Sequence, residues 1–119
     1  MTVQSELQAL YDRYVAAYRV GDARGCAAVF HREGHLYSPY GPPAQGRTAI
    51  RALHADWVAE GGEGKRITVL HSGHDGDMAW CLAAFSEGDA ASDGVSLNVL
   101  ERQPSGGWLI RMCSLTAVS

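Results

Sequence analysis

Apolar residues in the first part of the chain recur with the period of a helix. From Leu7 to Tyr18 they return every three or four positions, which is the spacing of one face of an amphipathic helix. Ser5 and Gln8 can form a capping box at its start, and Gly21 can end it. The pattern therefore predicts a long first helix with three tyrosines on its apolar face, namely Tyr11, Tyr14 and Tyr18.

Two further helices and a short strand are predicted in the same half of the chain. Asp22 can cap a second helix that ends near Gly34. Residues 35–40 have the character of a strand, and the prolines at 42–43 then break it to form a rim. A third helix opens near Thr48 and stops at a run of glycines. Its apolar face comprises Ile50, Leu53, His54, Trp57 and Val58.

From residue 66 onward the apolar period changes to two, which indicates β-strands. Four such segments are separated by turn sequences: RITVLHS, DMAWCLAAFSE, VSLNVLERQ and WLIRMCSLT. Three helices followed by a four-strand meander predict an α+β domain, in which an antiparallel sheet carries its helices on one face. The 119 residues are expected to form one domain, residues 1–119.

The strand around Trp80 has two chemically different faces. We predict that Trp80, Leu82 and Ala84 point inward and line the interior together with Ser86. The outer face would then consist of Ala79, Cys81, Ala83 and Phe85. Such a face is too apolar to remain in water, so it predicts a homodimer formed through the outer side of the sheet.

Composition and charge exclude several classes of partner. Hydrophobic residues make up 46% of the chain and charged residues 19%, as in globular proteins. The net charge is −3 and no block of Lys or Arg occurs, so we expect neither nucleic acid nor a membrane as a partner. The N-terminus lacks the apolar run of a signal peptide, and three cysteines without metal-type spacing indicate free thiols, so the predicted location is cytoplasmic.

The sequence carries no motif for a cofactor or a metal ion. His31 and His35 have the i, i+4 spacing of a zinc-binding helix, but Gly34 breaks that face. A phosphate-cradling glycine loop, a dinucleotide fingerprint and a Ser-His-Asp order are all missing. We therefore expect no cofactor and no metal.

Short motifs also occur in a distinctive order along the chain. They are Gly21-Asp22, Val29-Phe30, Ser38-Pro39 with Gly41, Gly46-Arg47-Thr48-Ala49-Ile50 and Gly107-Trp108-Leu109-Ile110. In this order they resemble the SnoaL-like and ketosteroid-isomerase-like branch of the nuclear transport factor 2-like superfamily. The resemblance implies a curved sheet wrapped around the first helix, as a cone with an apolar cavity at its open end. The proline-rich segment would form part of its mouth.

The resemblance also identifies positions for acid–base chemistry. In steroid-isomerase relatives, a tyrosine on the first helix and a late-strand acid stabilise an enolate, while an aspartate before a strand proline moves the proton. Tyr14 matches the tyrosine, whereas Ser38 replaces the aspartate and cannot act as a base near neutral pH. The late-strand position falls on Asn98 or Val99. Steroid-isomerase activity is therefore disfavoured.

A Tyr14–His54 pair is the sharpest chemical hypothesis that remains. By resemblance, His54 replaces a second tyrosine, and its imidazole could orient Tyr14 and exchange protons. Alternatively, the two buried groups only satisfy each other's hydrogen bonds. Glu101 could supply the missing base if it faces inward with Val99, but it is a solvated charge if Asn98 faces inward instead.

Three functions remain open at this point. The chain could bind a small apolar or aromatic molecule, with Tyr14 and His54 as polar handles. It could be an isomerase, cyclase or dehydratase in which Tyr14 stabilises an oxyanion and His54 or Glu101 moves protons. It could also be a dimerisation module without a ligand. The predicted ligand-binding residues are Tyr18, Ser38, Tyr40, Trp57, Trp80, Leu82, Ala84, Asn98 and Met112.

Overall fold

The computed structural model describes residues 2–88 and 93–117. The elements in chain order are α1 (Val3–Arg19), α2 (Ala23–Ala27), β1 (Phe30–Ser38), β2 (Gly41–Gln45), α3 (Arg47–Ala59), β3 (Arg66–Asp75), β4 (Met78–Ser86), β5 (Gly94–Arg102) and β6 (Trp108–Ala117). The predicted α+β class, with a curved sheet and a long N-terminal helix, is confirmed.

Helix α1 forms where the apolar period predicts it, with a different cap. The Thr2 side chain, rather than Ser5, accepts the first backbone bond, from the Ser5 N–H at 3.1 Å. Gly21 follows the helix with a φ of 76°, a conformation that glycine adopts without steric cost. The predicted apolar face is buried, and it comprises Leu7, Leu10, Tyr11, Tyr14 and Tyr18.

Six strands form one open sheet in the order β2-β1-β6-β5-β4-β3. Neighbouring strands are antiparallel except β1 and β6, which run parallel. The prediction of a wholly antiparallel sheet is therefore wrong at this one pair. A long connection, made of β2, α3 and the meander, separates β1 from β6, and parallel neighbours need a connection of this kind.

The second helix is shorter, and the first strand longer, than predicted. Helix α2 ends at Ala27 and β1 already begins at Phe30, so the expected helix end near Gly34 is wrong. Pairing with β6 explains the difference, because Phe30 lies opposite Ile110, whose N–H donates to the Val29 carbonyl at 2.9 Å. The proline-containing segment is itself strand β2, placed at the sheet edge where proline's missing N–H is tolerated.

The two faces of β4 are the reverse of those predicted. Trp80 is 47% exposed, and Leu82 and Ala84 lie on the same outer face, whereas the buried inner face consists of Ala79, Cys81, Ala83 and Phe85. The small inner side chains leave room for the tyrosines of α1, and the Cys81 sulfur lies 3.7 Å from the Tyr11 hydroxyl. The inward placement of Trp80, Leu82 and Ala84 is therefore wrong.

Candidate functional site

A pocket of about 810 Å³ lies between α1, α3 and the inner face of the sheet. Its Tyr, Phe and Trp lining comprises Tyr11, Tyr14, Tyr18, Phe30, Tyr40, Trp57 and Phe85. Tyr40 is 55% exposed and, with the loop at 61–64, belongs to the lining, so the pocket opens to solvent on this side. The segment between β1 and β2 thus contributes to the mouth through Tyr40.

Six of the predicted site residues meet in this pocket: Tyr14, Tyr18, Tyr40, His54, Trp57 and Asn98. Helix α1 carries two of them, α3 carries two, and β5 contributes Asn98. The elements that the apolar periods predicted therefore bring these side chains together. Six other residues from that prediction lie elsewhere: Ser38, Trp80, Leu82, Ala84, Glu101 and Met112.

The Tyr14 hydroxyl and His54 form a closed hydrogen-bonded unit, which we call the histidine pair. The Tyr14 oxygen lies 2.8 Å from Nε2 of His54, and the His54 Nδ1 lies 2.8 Å from the Ile50 carbonyl oxygen. A carbonyl only accepts, so Nδ1 carries the imidazole proton and Nε2 accepts the proton of Tyr14. The tautomer of His54 follows from its position one turn after Ile50 in α3.

Burial keeps the histidine pair uncharged. His54 is completely buried, and burial lowers its pKa to about 4, with the nearby positive charge of Lys65 acting in the same direction and the bond to Ile50 opposing it. Burial also raises the pKa of Tyr14 well above its usual value. Neutral Tyr14 therefore donates its only hydroxyl proton to neutral His54 near pH 7. Toward a ligand, the Tyr14 hydroxyl oxygen can therefore act only as a hydrogen-bond acceptor.

Ser38 does not line the pocket. It lies at the end of β1, where its hydroxyl oxygen accepts the Tyr40 N–H at 3.2 Å. The pairing of β1 with β2 shifts register between Leu36 and Ser38, so Leu36 is the last residue of β1 that reaches the interior. The prediction of Ser38 as a ligand-binding residue is wrong for this reason.

The register of β5 decides between the two alternatives for Asn98 and Glu101. Asn98 is fully buried and its amide donates to Ser96, at 3.0 Å to the hydroxyl oxygen. Glu101 consequently lies outside the pocket and accepts a hydrogen bond from Arg111 at 2.9 Å. The structure therefore selects the alternative in which Asn98 faces inward and Glu101 is a solvated charge. Met112 is 36% exposed, because a register shift between Ile110 and Met112 interrupts the alternation of β6 and leaves Ile110 and Cys113 as the inward residues.

A second polar group in the pocket was not predicted, and we call it the lysine cluster: Lys65, Glu87 and Tyr18. The Lys65 ammonium lies 4.5 Å from the Tyr18 ring centroid and 3.7 Å from the Glu87 carboxylate. Tyr18 donates to that carboxylate at 2.8 Å. The Lys65 side chain is only 9% exposed, and its separation of 3.7 Å from the carboxylate is that of an ion pair without a short hydrogen bond.

Two glycines allow the loop before β3 to hold Lys65 in this position. A Cβ on Gly62 would lie 2.7 Å from the Tyr18 ring, and a Cβ on Gly64 would lie 2.5 Å from the Glu87 carbonyl oxygen. Real side chains do not tolerate such contacts. The Lys65 carbonyl is fixed as well, because it accepts from Nε of Arg19 at 2.8 Å. The glycines that end α3 therefore also let the loop pack closely against α1 and β4.

Burial lowers the pKa of Lys65, while the Glu87 carboxylate opposes that change. Sequence reasoning missed this residue because an isolated charged residue beside glycines resembles an ordinary surface loop. One signal was available: of the ten Lys and Arg residues in the chain, Lys65 is the only lysine.

A match to a known protein family decides which family this chain belongs to. The profile of the SnoaL-like domain matches residues 11–106. The chain belongs to the SnoaL-like domain family. No functionally curated protein matches it significantly.

Solved structures that resemble this SnoaL-like chain share its fold at low sequence identity. A domain of unknown function with a cystatin-like fold from Nostoc punctiforme has a TM-score of 0.83 at 22% identity, over 100% of this chain and 80% of that chain. A ketosteroid isomerase-like protein from Erwinia carotovora atroseptica has a TM-score of 0.76 at 16% identity, over 98% and 96%. ActVI-ORFA from Streptomyces coelicolor has a TM-score of 0.66 at 23% identity, over 94% of both chains.

The side chains and helices of this SnoaL-like chain bear on metal ions and membranes. Across residues 2–88 and 93–117, no three His, Cys, Asp or Glu side chains converge as metal ligands. In the same part of the chain, no helix has both the length and the apolar character needed to cross a bilayer. All three cysteines are buried free thiols.

Proposed function

We propose that this SnoaL-like protein binds a small, uncharged apolar or aromatic molecule in the pocket. The observation that carries the proposal is the aromatic lining around a space of about 810 Å³, a size and composition common to small-molecule sites. Trp57 lines this space, with its ring centroid 4.9 Å from that of His54 and 6.4 Å from that of Tyr40. These rings offer stacking surfaces to a flat ligand.

The charges around the pocket favour an uncharged ligand. Four carboxylates belong to its lining, those of Asp56, Glu60, Glu63 and Glu87, against the single ammonium of Lys65. An anionic ligand would be repelled by this excess, and a cationic ligand, although attracted by the carboxylates, would lie next to the Lys65 ammonium once inside. A neutral molecule avoids both costs.

Calorimetric titration with 2-naphthalenemethanol, a neutral aromatic alcohol, tests the proposal. We expect saturable binding at one site per chain. Leu115→Trp should abolish it or weaken it by at least about tenfold, because Leu115 lines the pocket and a larger side chain fills the space of the ligand.

A matched control uses the same substitution on the other face of the sheet. Leu97 is 54% exposed on the neighbouring strand, so Leu97→Trp should leave the affinity unchanged. Absence of binding to the parent protein, or equal binding by both variants, would contradict the proposal.

The structure gives less support to the alternative of an acid–base enzyme. The proton that Tyr14 would donate to an oxyanion already bonds His54 at 2.8 Å, and Glu101 bonds Arg111 outside the pocket. His54 could take up a proton only well below neutral pH, since its pKa is lowered to about 4. Binding therefore accounts for the geometry better than turnover by these residues.

The predicted homodimer stays part of the proposal, with different contact residues. On the outer face, Trp80 lies opposite Val99 and Val99 opposite Met112, which gives an apolar row across three strands. A second copy of the chain can cover such a face isologously. We expect a dimer by light scattering at micromolar concentration and a monomer for Trp80→Lys. A monomeric parent protein would rule the dimer out.

The cytoplasmic location stays a prediction from the sequence.

A further inference from the structure

Lys65 is the only lysine of the chain, and the fold places it inside the pocket rather than on the surface. Lysine is almost never fully buried unless it is paired, and here the residue is 7% exposed with Glu87 as its charged partner. Its Nζ lies over the rings of Tyr18 and Phe85, at 4.5 Å and 5.2 Å from their centroids. Both rings belong to the pocket lining, so the amine borders the space that a ligand would fill.

The partner of Lys65 holds it only loosely. Its Nζ and Oε1 of Glu87 are 3.7 Å apart, which is beyond the distance of a good hydrogen bond. The same oxygen accepts the Tyr18 hydroxyl at 2.8 Å, so Tyr18 holds the carboxylate beside the amine. A lysine that served only to neutralise Glu87 would be expected in direct contact with it.

We infer that Lys65 is a nucleophile that captures a neutral aldehyde or ketone from the pocket as an imine. This inference rests on the proposed function, because it names the chemical class of the bound molecule. The carbonyl group would lie toward Lys65, and its apolar or aromatic body would lie toward Trp57 and Tyr40.

The environment favours the form of lysine that this reaction needs. An uncharged amine attacks carbonyl carbon, whereas an ammonium cannot. Burial of Lys65 disfavours the ammonium and lowers its pKa, although the Glu87 carboxylate and the faces of the two rings oppose this change. The guanidinium groups of the arginines remain protonated and cannot replace it.

The reaction balances with groups present in the pocket. The Nζ lone pair forms a bond to the carbonyl carbon while the C=O π pair moves to oxygen, and one proton moves from nitrogen to oxygen to give a carbinolamine. Loss of the hydroxyl with a proton as water then forms the C=N bond. Glu87 can relay these protons, since its carboxylate lies beside the nitrogen. The sum is carbonyl compound plus amine giving imine plus water.

Reductive trapping with 2-naphthaldehyde and sodium cyanoborohydride tests the inference on the full chain. We expect one naphthylmethyl group on Lys65, located by peptide mapping, which also separates it from the α-amine of the polypeptide. At pH 7, trapping should be faster than that of N-α-acetyl-lysine in the same solution, by about tenfold for each unit by which the pKa is lowered.

Two variants serve as controls. Lys65→Arg keeps the positive charge but cannot form an imine, so it should give no adduct at residue 65. Leu115→Trp keeps the amine and fills the pocket, so it should lose most of the trapping. Circular dichroism of both variants establishes that the fold is retained.

The outcomes separate this inference from the proposed function. Binding of 2-naphthalenemethanol without trapping of the aldehyde at Lys65 overturns the inference and leaves the proposed function in place. Trapping that Leu115→Trp does not reduce shows an amine reacting from solvent, which also overturns it. If neither compound binds or reacts, both the inference and the proposed function are wrong. Trapping at Lys65 that Leu115→Trp abolishes supports both.

Discussion

The histidine pair and the lysine cluster lie in the same pocket, but protein atoms satisfy their hydrogen bonds to different degrees. Each nitrogen of His54 has a protein partner at 2.8 Å. Lys65, by contrast, has its nearest carboxylate at 3.7 Å. A buried polar group that is fully bonded stabilises the fold and leaves little for a ligand to gain, whereas a loosely held one keeps capacity for new bonds.

This contrast changes which residues are expected to act on a ligand. The histidine pair is the more conspicuous constellation, because it combines a tyrosine and a histidine in a family known for acid–base chemistry. The hydrogen bond between Tyr14 and His54, however, links α1 to α3, as expected of a pair that stabilises the fold. The lysine cluster lacks a familiar motif but combines burial, a nearby carboxylate and an accessible side of the amine.

Removing the imidazole should have the largest effect on stability. His54→Ala leaves a void and removes the partner of the Tyr14 hydroxyl, so we expect a loss of about 3 kcal/mol in the free energy of unfolding. Urea denaturation at pH 7 measures it. His74→Ala, at an exposed position on β3, should change stability by less than about 0.5 kcal/mol. Equal losses in the two variants would contradict a structural role for the histidine pair.

Acidification should weaken the fold through the same residue. The pKa of His54 is about 4 in the folded protein and about 6.5 when unfolded. The unfolded chain therefore takes up a proton first, so this contribution is complete above pH 6.5 and is lost as the pH falls toward 4. Between pH 7 and pH 5 we expect a loss of about 2 kcal/mol. His54→Gln should lack this component, and an unchanged slope in that variant would count against it.

The loop that positions Lys65 offers a smaller test. Gly64→Ala introduces a Cβ that would lie 2.5 Å from the Glu87 carbonyl oxygen. We expect it to cost about 1–2 kcal/mol in the free energy of unfolding and to slow trapping at Lys65, because the loop must move away from Glu87. Gly107→Ala is the control, since no atom lies within 4 Å of its added Cβ. Identical behaviour of the two variants would show that the close contact has no effect on Lys65.

The smallest stability effect is expected at Lys65 itself. Lys65→Met keeps the apolar stem and removes a charge whose burial costs free energy, so stability should change by less than about 1 kcal/mol or rise slightly. Thermal or urea denaturation beside the parent protein measures the change. A loss of unfolding free energy as large as that of His54→Ala would contradict the expectation that Lys65 contributes less to stability than the histidine pair.

Much of the fold was predictable because helical periodicity and turn residues act locally. The apolar stripe of α1 predicted which tyrosines are buried, and the stripe of α3 placed His54 on the same side as Trp57. The family resemblance then predicted that Tyr14 and His54 form a pair. The parallel pairing of β1 with β6 was not predictable in this way, since it depends on how distant segments meet.

Alternation along a strand separates two faces, but it does not tell which one is inside. The prediction turned Trp80 inward, together with Leu82 and Ala84, as part of the lining of the interior. The helix above the sheet instead requires small residues such as Ala79 and Cys81 beneath its tyrosines, and Trp80 covers Gly73 on the opposite face. Lys65 escaped prediction for a related reason: its burial arises from the close packing of Gly62 and Gly64, which no periodic pattern expresses.

The position of the single lysine has a practical consequence for work with this protein. Succinimidyl ester dyes, amine-coupling sensor chips and aldehyde fixation all attach proteins through ε-amino groups. Here the only such group borders the pocket, so these reagents would enter the pocket rather than tag the exterior. Attachment through an affinity tag or the polypeptide α-amine leaves the pocket unmodified.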